Sequence, residues 1–276
     1  MKISILGCGW LGLPLALSFL RDGHTVAGTK QRQHDADELR ELGIDAHTMS
    51  LDSPLSTALT HALSQSDVLV LNIPSGRKHL DEDAYTSNMQ HIIDQAYEHG
   101  CKHIIYISTT SVYGASNDGT ITEKERCKPD TGSGRANMRI EEHARAVFKS
   151  QASILRLAGL VGAGRHPAKY LAGRTDIKGA NQRINLVHLD DAIQAIKHIA
   201  EQSKWGETFH LAAQAHPIKA DYYTSACAVL DIESPHFAND PQPSPHGKAI
   251  DSSYTLSTLD LTLRYPTPDS MLTDFR

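Results

Sequence analysis

An α/β fold with a doubly wound parallel sheet is what this 276-residue sequence predicts, and three observations carry the prediction. Short, unbroken apolar runs such as Val68–Ile73 and His103–Ser108 alternate with helical patterns. A strand reads that way when both of its faces are buried, which is the situation in a parallel sheet covered by helices on both sides. A glycine-rich turn joins the first strand to the first helix. Beyond about residue 213 the composition changes: Pro217, Pro235, Pro241, Pro243, Pro245, Pro266 and Pro268 mark a second, smaller lobe.

Taken in order, Ile3–Leu6 reads as a strand and Leu11–Leu20 as a buried helix, with Gly23 as its C-terminal glycine. His24–Ala27 resumes an extended pattern, Asp35–Leu42 is helical up to Gly43, and Ile44–Met49 is the third strand. Thr57–Ser64 is a helix, Val68–Ile73 a strand bounded by Asp67 and Pro74, Ala84–His99 a helix closed by Gly100, and His103–Ser108 a strand. Arg135–Lys149 and Asp190–Gln202 are helices; Ser153–Leu157, Asn185–His188 and Thr208–Leu211 are strands. The stretch 159–184, rich in Gly, Lys and Arg, shows no period. The expected organisation is therefore a larger domain from 1–158 plus 185–212, and a discontinuous lobe from 159–184 plus 213–276.

Composition excludes several functions. With 40% hydrophobic and 21% charged residues the chain is ordinary for a globular protein, and its net charge of −5 argues against a nucleic-acid partner. Cys8, Cys101, Cys127 and Cys227 form no CxxC pair, so reduced thiols are expected and no zinc ribbon or disulfide framework. His99, Cys101 and His103 straddle Gly100 at a helix-to-strand turn, and no metal site is expected. The apolar run Ile3–Leu20 is broken by Gly7, Gly9, Gly12 and Pro14, with no cleavage site after it. Nothing else approaches the roughly 18 apolar residues of a membrane span, so a cytoplasmic location without a membrane partner is expected.

Gly7, Gly9 and Gly12, with Cys8, Trp10 and Leu11 between them, fit GxGxxG in its required context after a strand and at the opening of a helix. Gly7 permits the tight turn, Gly9 lets the backbone approach a pyrophosphate, and Gly12 allows helix and strand to pack closely. This predicts a Rossmann-type dinucleotide site. An acidic residue at the end of the second strand would select NAD; here Thr29, Lys30 and Arg32 stand instead, Thr29 lying 22 residues after Gly7. The two cations suit a 2′-phosphate, so NADP is the expected cofactor, with NAD the alternative. Asn72, Pro74 and Ser75 follow the fourth strand at the carboxyl edge, where a dinucleotide crosses the sheet.

Further segments resemble the extended short-chain dehydrogenase/reductase family of nucleotide-sugar epimerases and dehydratases. His103–Gly114 (HIIYISTTSVYG) is similar to that family's fifth strand and SSxSVYG segment. Thr122, Glu123 and Pro129 resemble the loop leading to its Tyr-x-x-x-Lys pair, and Ile154–Arg156 with Val161, Gly162, Ala163 and Gly164 its sixth strand and glycine turn. Asn185–Asp191 resembles the return to the core. More narrowly, GCGWLGLPLA, RLAGLVGAGRHP and INLVHLDDAI resemble the bacterial YeeZ-type group of atypical members, which has no agreed substrate.

The resemblance implies an oxidoreductase or epimerase, but with a departure. Where the family has Tyr-x-x-x-Lys, this chain has Thr131, Gly132, Ser133, Gly134 and Arg135. A phenol has a pKa of about 10, far more acidic than the Thr131 hydroxyl, so Thr131 is no substitute as a proton carrier. Arg135 is left to hold the nicotinamide ribose, Thr109 to bind a substrate oxygen, and Tyr113 to replace the missing acid, with Glu123 a further carboxyl nearby. Arg165, His166 and Lys169, with Arg174 close behind, form a cationic group suited to an anionic substrate. The alternative is a non-catalytic module that senses a dinucleotide or binds protein. Family members dimerise through the helices corresponding to 84–99 and 135–149, which implies a homodimer here; Ile140, Ala144, Val147 and Phe148 form an apolar stripe that suits either that interface or the sheet.

Overall fold

The computed structural model describes residues 1–76, 81–162 and 164–275, so Ala163 of the second glycine turn lies outside the described residues. Seven strands form one parallel sheet: β1 (Lys2–Leu6), β2 (Thr25–Lys30), β3 (Asp45–Thr48), β4 (Val68–Leu71), β5 (His103–Thr109), β7 (Ala152–Leu157) and β10 (Thr208–Leu211). Their spatial order is β10-β7-β5-β4-β1-β2-β3. The chain runs outward from β1 to β3, then returns to β4 on the other side of β1. That reversal leaves a crevice above the carboxyl ends of β1 and β4, the place where open α/β sheets bind ligands.

The apolar runs follow from two-sided burial. Val68 and Val70 face a core with α1 (Gly12–Arg21), α2 (Gln33–Glu41) and α7 (Leu189–Glu201). Leu69 and Leu71 face the opposite core, with α3 (Thr57–Ser64), α4 (Glu82–Glu98) and α5 (Gly132–Phe148). Ile140, Ala144 and Phe148 belong to this second core and Val147 packs against it, so the α5 stripe faces the sheet. The outer side of α4 and α5 carries cross-helix ion pairs instead, Arg135–Glu82 at 2.8 Å and Arg139–Asp83 at 2.7 Å, and a His143–Asp94 contact at 2.7 Å.

The second lobe combines β8 (Gly159–Val161), β9 (Leu186–His188), α6 (Ala168–Leu171), α8 (Lys219–Val229) and α10 (Pro268–Met271) around Tyr222, Tyr223, Cys227 and Met271. β9, expected in the larger domain, pairs with β8 in a separate two-stranded sheet. A further pair joins β6 (Gly119–Ile121) to β11 (Lys248–Ile250), and α9 (Ser253–Thr258) follows. Ile250, Leu259, Leu261 and Leu263, expected in the lobe, return to the first core. The prolines announced a change of composition there, but apolar residues separated by turns carry no periodic sign of which core receives them. Among the described residues no helix is long and apolar enough to cross a membrane.

Candidate functional site

At the crevice the glycine turn is built from opposing demands on its three glycines. Gly7 has φ +102°, and a Cβ there would meet the Asn72 carbonyl oxygen at 2.3 Å. A Cβ on Gly12 would meet the Gly7 carbonyl oxygen at 2.2 Å. A Cβ on Gly9 would meet nothing within 4 Å. Gly7 and Gly12 are thus required by the protein's own packing. Gly9 faces open cleft, the cradle that a diphosphate would fill. The turn is tied on two sides: the Gly7 amide donates to Thr29 Oγ1 at 3.0 Å, and Asn72 Nδ2 donates to the Gly7 carbonyl at 3.1 Å. Thr29 is buried, and its hydroxyl anchors the turn from β2.

From this turn an open cleft of about 1490 Å³ runs across the sheet. At one end it is lined by Lys30, Arg32 and Asp35; Pro74 and Ser75 form its wall beyond β4. Asp35 was missed in the sequence because it lies on α2 rather than at the end of β2. Arg32 caps that helix and its Nε reaches the Asp35 carboxylate at 3.1 Å, with the Arg32 side chain 82% exposed. The second-strand end therefore presents Lys30, Arg32 and one partly neutralising carboxylate.

The far end of the cleft is lined by Ser108, Thr109, Ser133 and Asn137. Thr109 lines the cleft, with its hydroxyl accepting from the Ser111 amide at 3.2 Å and from the Ser111 hydroxyl at 3.0 Å. On α5 the structure corrects the expected pair. Thr131 is the N-cap, accepting from the Gly134 amide at 3.1 Å, and Arg135 is turned outward to Glu82. The side chains facing the cleft are Ser133 and Asn137, two residues further along and still four apart. Two residues amount to about 200° of helix rotation, enough to exchange the outer face for the inner one. Ser133 Oγ lies 2.9 Å from Ser75 Oγ. Asn137 Oδ1 accepts from the buried Tyr106 hydroxyl at 2.6 Å, and its Nδ2 donates to the Ser133 carbonyl at 2.7 Å. The signal for this pair was the helix start itself, which the Thr131 cap places at Gly132 rather than at the expected Arg135.

Tyr113 also departs from expectation. It is fully buried, away from the cleft lining, with its hydroxyl between Arg156 Nη1 and His210 Nδ1, each at 3.0 Å. Burial pushes its phenol up to about 12, opposite to what an acid catalyst needs. His210 Nε2 lies 2.7 Å from the Asp251 carbonyl, to which only an N–H can donate, so Nδ1 accepts the Tyr113 proton. Glu123 is likewise engaged, accepting from the Thr255 hydroxyl at 2.8 Å. Arg156 in turn meets Glu141 through Nε at 3.0 Å and Nη2 at 2.6 Å, and Ser108 Oγ donates to Glu141 at 2.5 Å. This buried network supports the floor of the cleft from below.

The second lobe lines the cleft with Gly164, Arg165, His166, Lys169 and Tyr170. Arg165 lies over the Trp10 ring, on the glycine-turn side, and Arg174 is not among the lining residues. His166 is corrected as an anion ligand. It is fully buried, Nδ1 accepts from the Ala168 amide at 3.1 Å, and Nε2 donates to the Tyr222 hydroxyl at 2.9 Å. Burial, with Lys169 nearby, lowers its pKa from 6.5 to about 4, so it is neutral at pH 7 and structural. Its unfolded form binds the proton more readily, so its contribution to stability is complete above pH 6.5 and lost as pH falls toward 4. Thermal unfolding between pH 7.5 and 4.5 should show a steeper loss for the native chain than for His166→Gln; equal slopes would refute this assignment.

The profile of the NAD dependent epimerase/dehydratase family matches residues 3–212. The chain belongs to that family. Protein YeeZ of Escherichia coli (strain K12) is 36% identical over 269 residues, 97% of either chain. The solved structure of UDP-glucuronic acid 4-epimerase from Bacillus cereus in complex with NAD is similar with a TM-score of 0.81 at 18% identity, covering 100% of this chain and 97% of that one. A functionally unknown conserved protein from Silicibacter pomeroyi DSS follows the same fold with a TM-score of 0.76 at 19% identity, covering 99% and 97%. At such identities the structural likeness establishes the fold. In this epimerase/dehydratase-family chain the seven-stranded parallel sheet follows the fold of these neighbours, and Ser133 and Asn137 stand at the start of α5.

Proposed function

We propose that the protein binds NADP(H) along the glycine turn and acts as an oxidoreductase or epimerase on a small polar substrate bearing an anionic group. The observation that carries this reading is the continuity of the cleft from Gly9 to Ser133 and Asn137, and on to Lys169. Its 1490 Å³ exceeds the roughly 300–1,000 Å³ of a pocket for one small molecule, leaving room for a second ligand beside a dinucleotide. A bound nicotinamide supplies hydride chemistry. Thr109 and Ser133 hold the reacting oxygen, Asn137 donates from an amide oriented by Tyr106, and Lys169 meets the anionic group. Aliphatic hydroxyls pass protons without storing them, so the Ser75–Ser133 pair relays a proton to water.

Lys30 and Arg32 support NADP over NAD. Calorimetric titration should show NADPH binding more tightly than NADH. Changing both cations to Ala should weaken NADPH about 10- to 100-fold and leave NADH unchanged, as expected for lost charge-assisted phosphate contacts. An unaltered NADPH-to-NADH ratio in the double variant would remove the preference.

One observation favours a second reading, a dinucleotide-sensing module without chemistry: neither Ser133 nor Asn137 titrates, so the α5 position lacks an acid. Assaying NADPH oxidation across carbonyl compounds and nucleotide sugars separates the two. Turnover abolished by Ser133→Ala supports the enzyme, and binding without turnover on any compound supports the sensor.

A further inference from the structure

The guanidinium carbon of Arg165 lies 4.8 Å from the centre of the Trp10 ring. Trp10 belongs to the glycine turn, between Gly9, whose missing Cβ faces open cleft, and Leu11, the N-cap of α1. A cation carried by the 159–184 segment therefore stands over the anion-facing turn of the larger domain, and both residues line the same cleft. Its backbone is firmly placed. Gly162 and Arg165 exchange both backbone hydrogen bonds, at 3.0 and 2.8 Å, and the next residue is the buried His166 tied to Tyr222. Lys169 Nζ holds the Gly164 carbonyl at 3.0 Å and ties down the same loop.

We infer that Arg165 binds the diphosphate of the dinucleotide, so that the second lobe clamps the cofactor rather than the substrate. The inference rests on the dinucleotide reading above. The cation lies over the indole ring, and a guanidinium is a planar fork of N–H groups that matches two phosphate oxygens side by side. The indole also restricts the side chain before a ligand arrives, so less rotamer freedom is lost on binding. Lys169, four residues further on in α6, is then the lobe's cation for an anionic substrate.

A phosphorylated substrate offers the same chemistry, and fragments of the cofactor separate the two sources. The native chain, Arg165→Ala and Arg165→Lys are titrated by calorimetry with NADPH, with ADP-ribose, which keeps the diphosphate, and with 2′-AMP, which lacks it. Arg165→Ala should weaken NADPH and ADP-ribose about 10- to 100-fold while 2′-AMP stays within about 2-fold; Arg165→Lys should fall between, as a point charge without the planar fork. The unliganded melting temperature verifies that the Ala variant is folded, and the Lys variant carries the test if it is not. Unchanged affinity for NADPH and ADP-ribose in both variants overturns the inference and assigns Arg165 to the substrate. Equal weakening of all three ligands overturns it as well, as general damage to the cleft. A native chain that binds none of them removes the dinucleotide reading itself, a result distinct from any variant's behaviour.

Discussion

Gly9→Ala should fold as the native protein does and lose dinucleotide binding, while Gly7→Ala should fold poorly. The two substitutions add the same methyl group two residues apart. At Gly9 it enters open cleft with no atom within 4 Å, so stability should stay within about ±0.5 kcal/mol. That methyl then occupies the approach of a diphosphate to the backbone. Losing two hydrogen bonds to a charged group, at roughly 1.5–3 kcal/mol each, corresponds to at least about 100-fold in affinity. At Gly7 the backbone is held at φ +102°, a conformation costing a side chain about 1–3 kcal/mol, and the new Cβ falls 2.3 Å from the Asn72 carbonyl oxygen. Neither backbone segment can move without breaking the Thr29 and Asn72 bonds that define the turn. Thermal unfolding and NADPH titration of both variants check the pair. A Gly9→Ala protein that melts normally and binds NADPH as tightly as the native chain would refute the assignment of Gly9 to a ligand.

Glu141→Ala is expected to cost about 3–5 kcal/mol, the range for removing one partner of a buried ion pair. Glu141 is 1% exposed, Arg156 is 5% exposed, and the carboxylate accepts from two nitrogens of the Arg156 guanidinium as well as from Ser108. Without it the guanidinium keeps only Tyr113 among these partners, in a site from which water is excluded. The loss comes from the stranded charge rather than from the net worth of the pair, so Glu141→Leu combined with Arg156→Met should recover much of it. Denaturant unfolding of the single and double variants measures both. A cost below about 1 kcal/mol for Glu141→Ala would show that water or another group reaches Arg156.

Much of the site was legible in the residue order because it is local. Gly7, Gly9, Gly12 and the strand before them lie in one continuous segment, and Lys30 and Arg32 follow the next strand at a spacing set by one helix. Asn72 and Pro74 could be placed for the same reason, as residues just past a strand end. The difficulties began where a side chain's direction depends on a partner distant in sequence. Tyr113 reads as a candidate acid just past a strand end; Arg156 and His210, 43 and 97 residues away, hold it in the interior. Arg135 reads as a ribose ligand until Glu82, 53 residues earlier, holds it on the outer face.

The sequence by itself therefore determined the parallel sheet, the glycine turn at its centre and the family, since two-sided burial and tight turns leave local and periodic marks. Tertiary structure alone decided that Ser133 and Asn137 face the cleft, that His166 is an anchor, and that Arg165 lies over Trp10. A rotation of about 200° on one helix, or a buried partner many residues away, changes which atoms meet a ligand without leaving a mark in the local pattern.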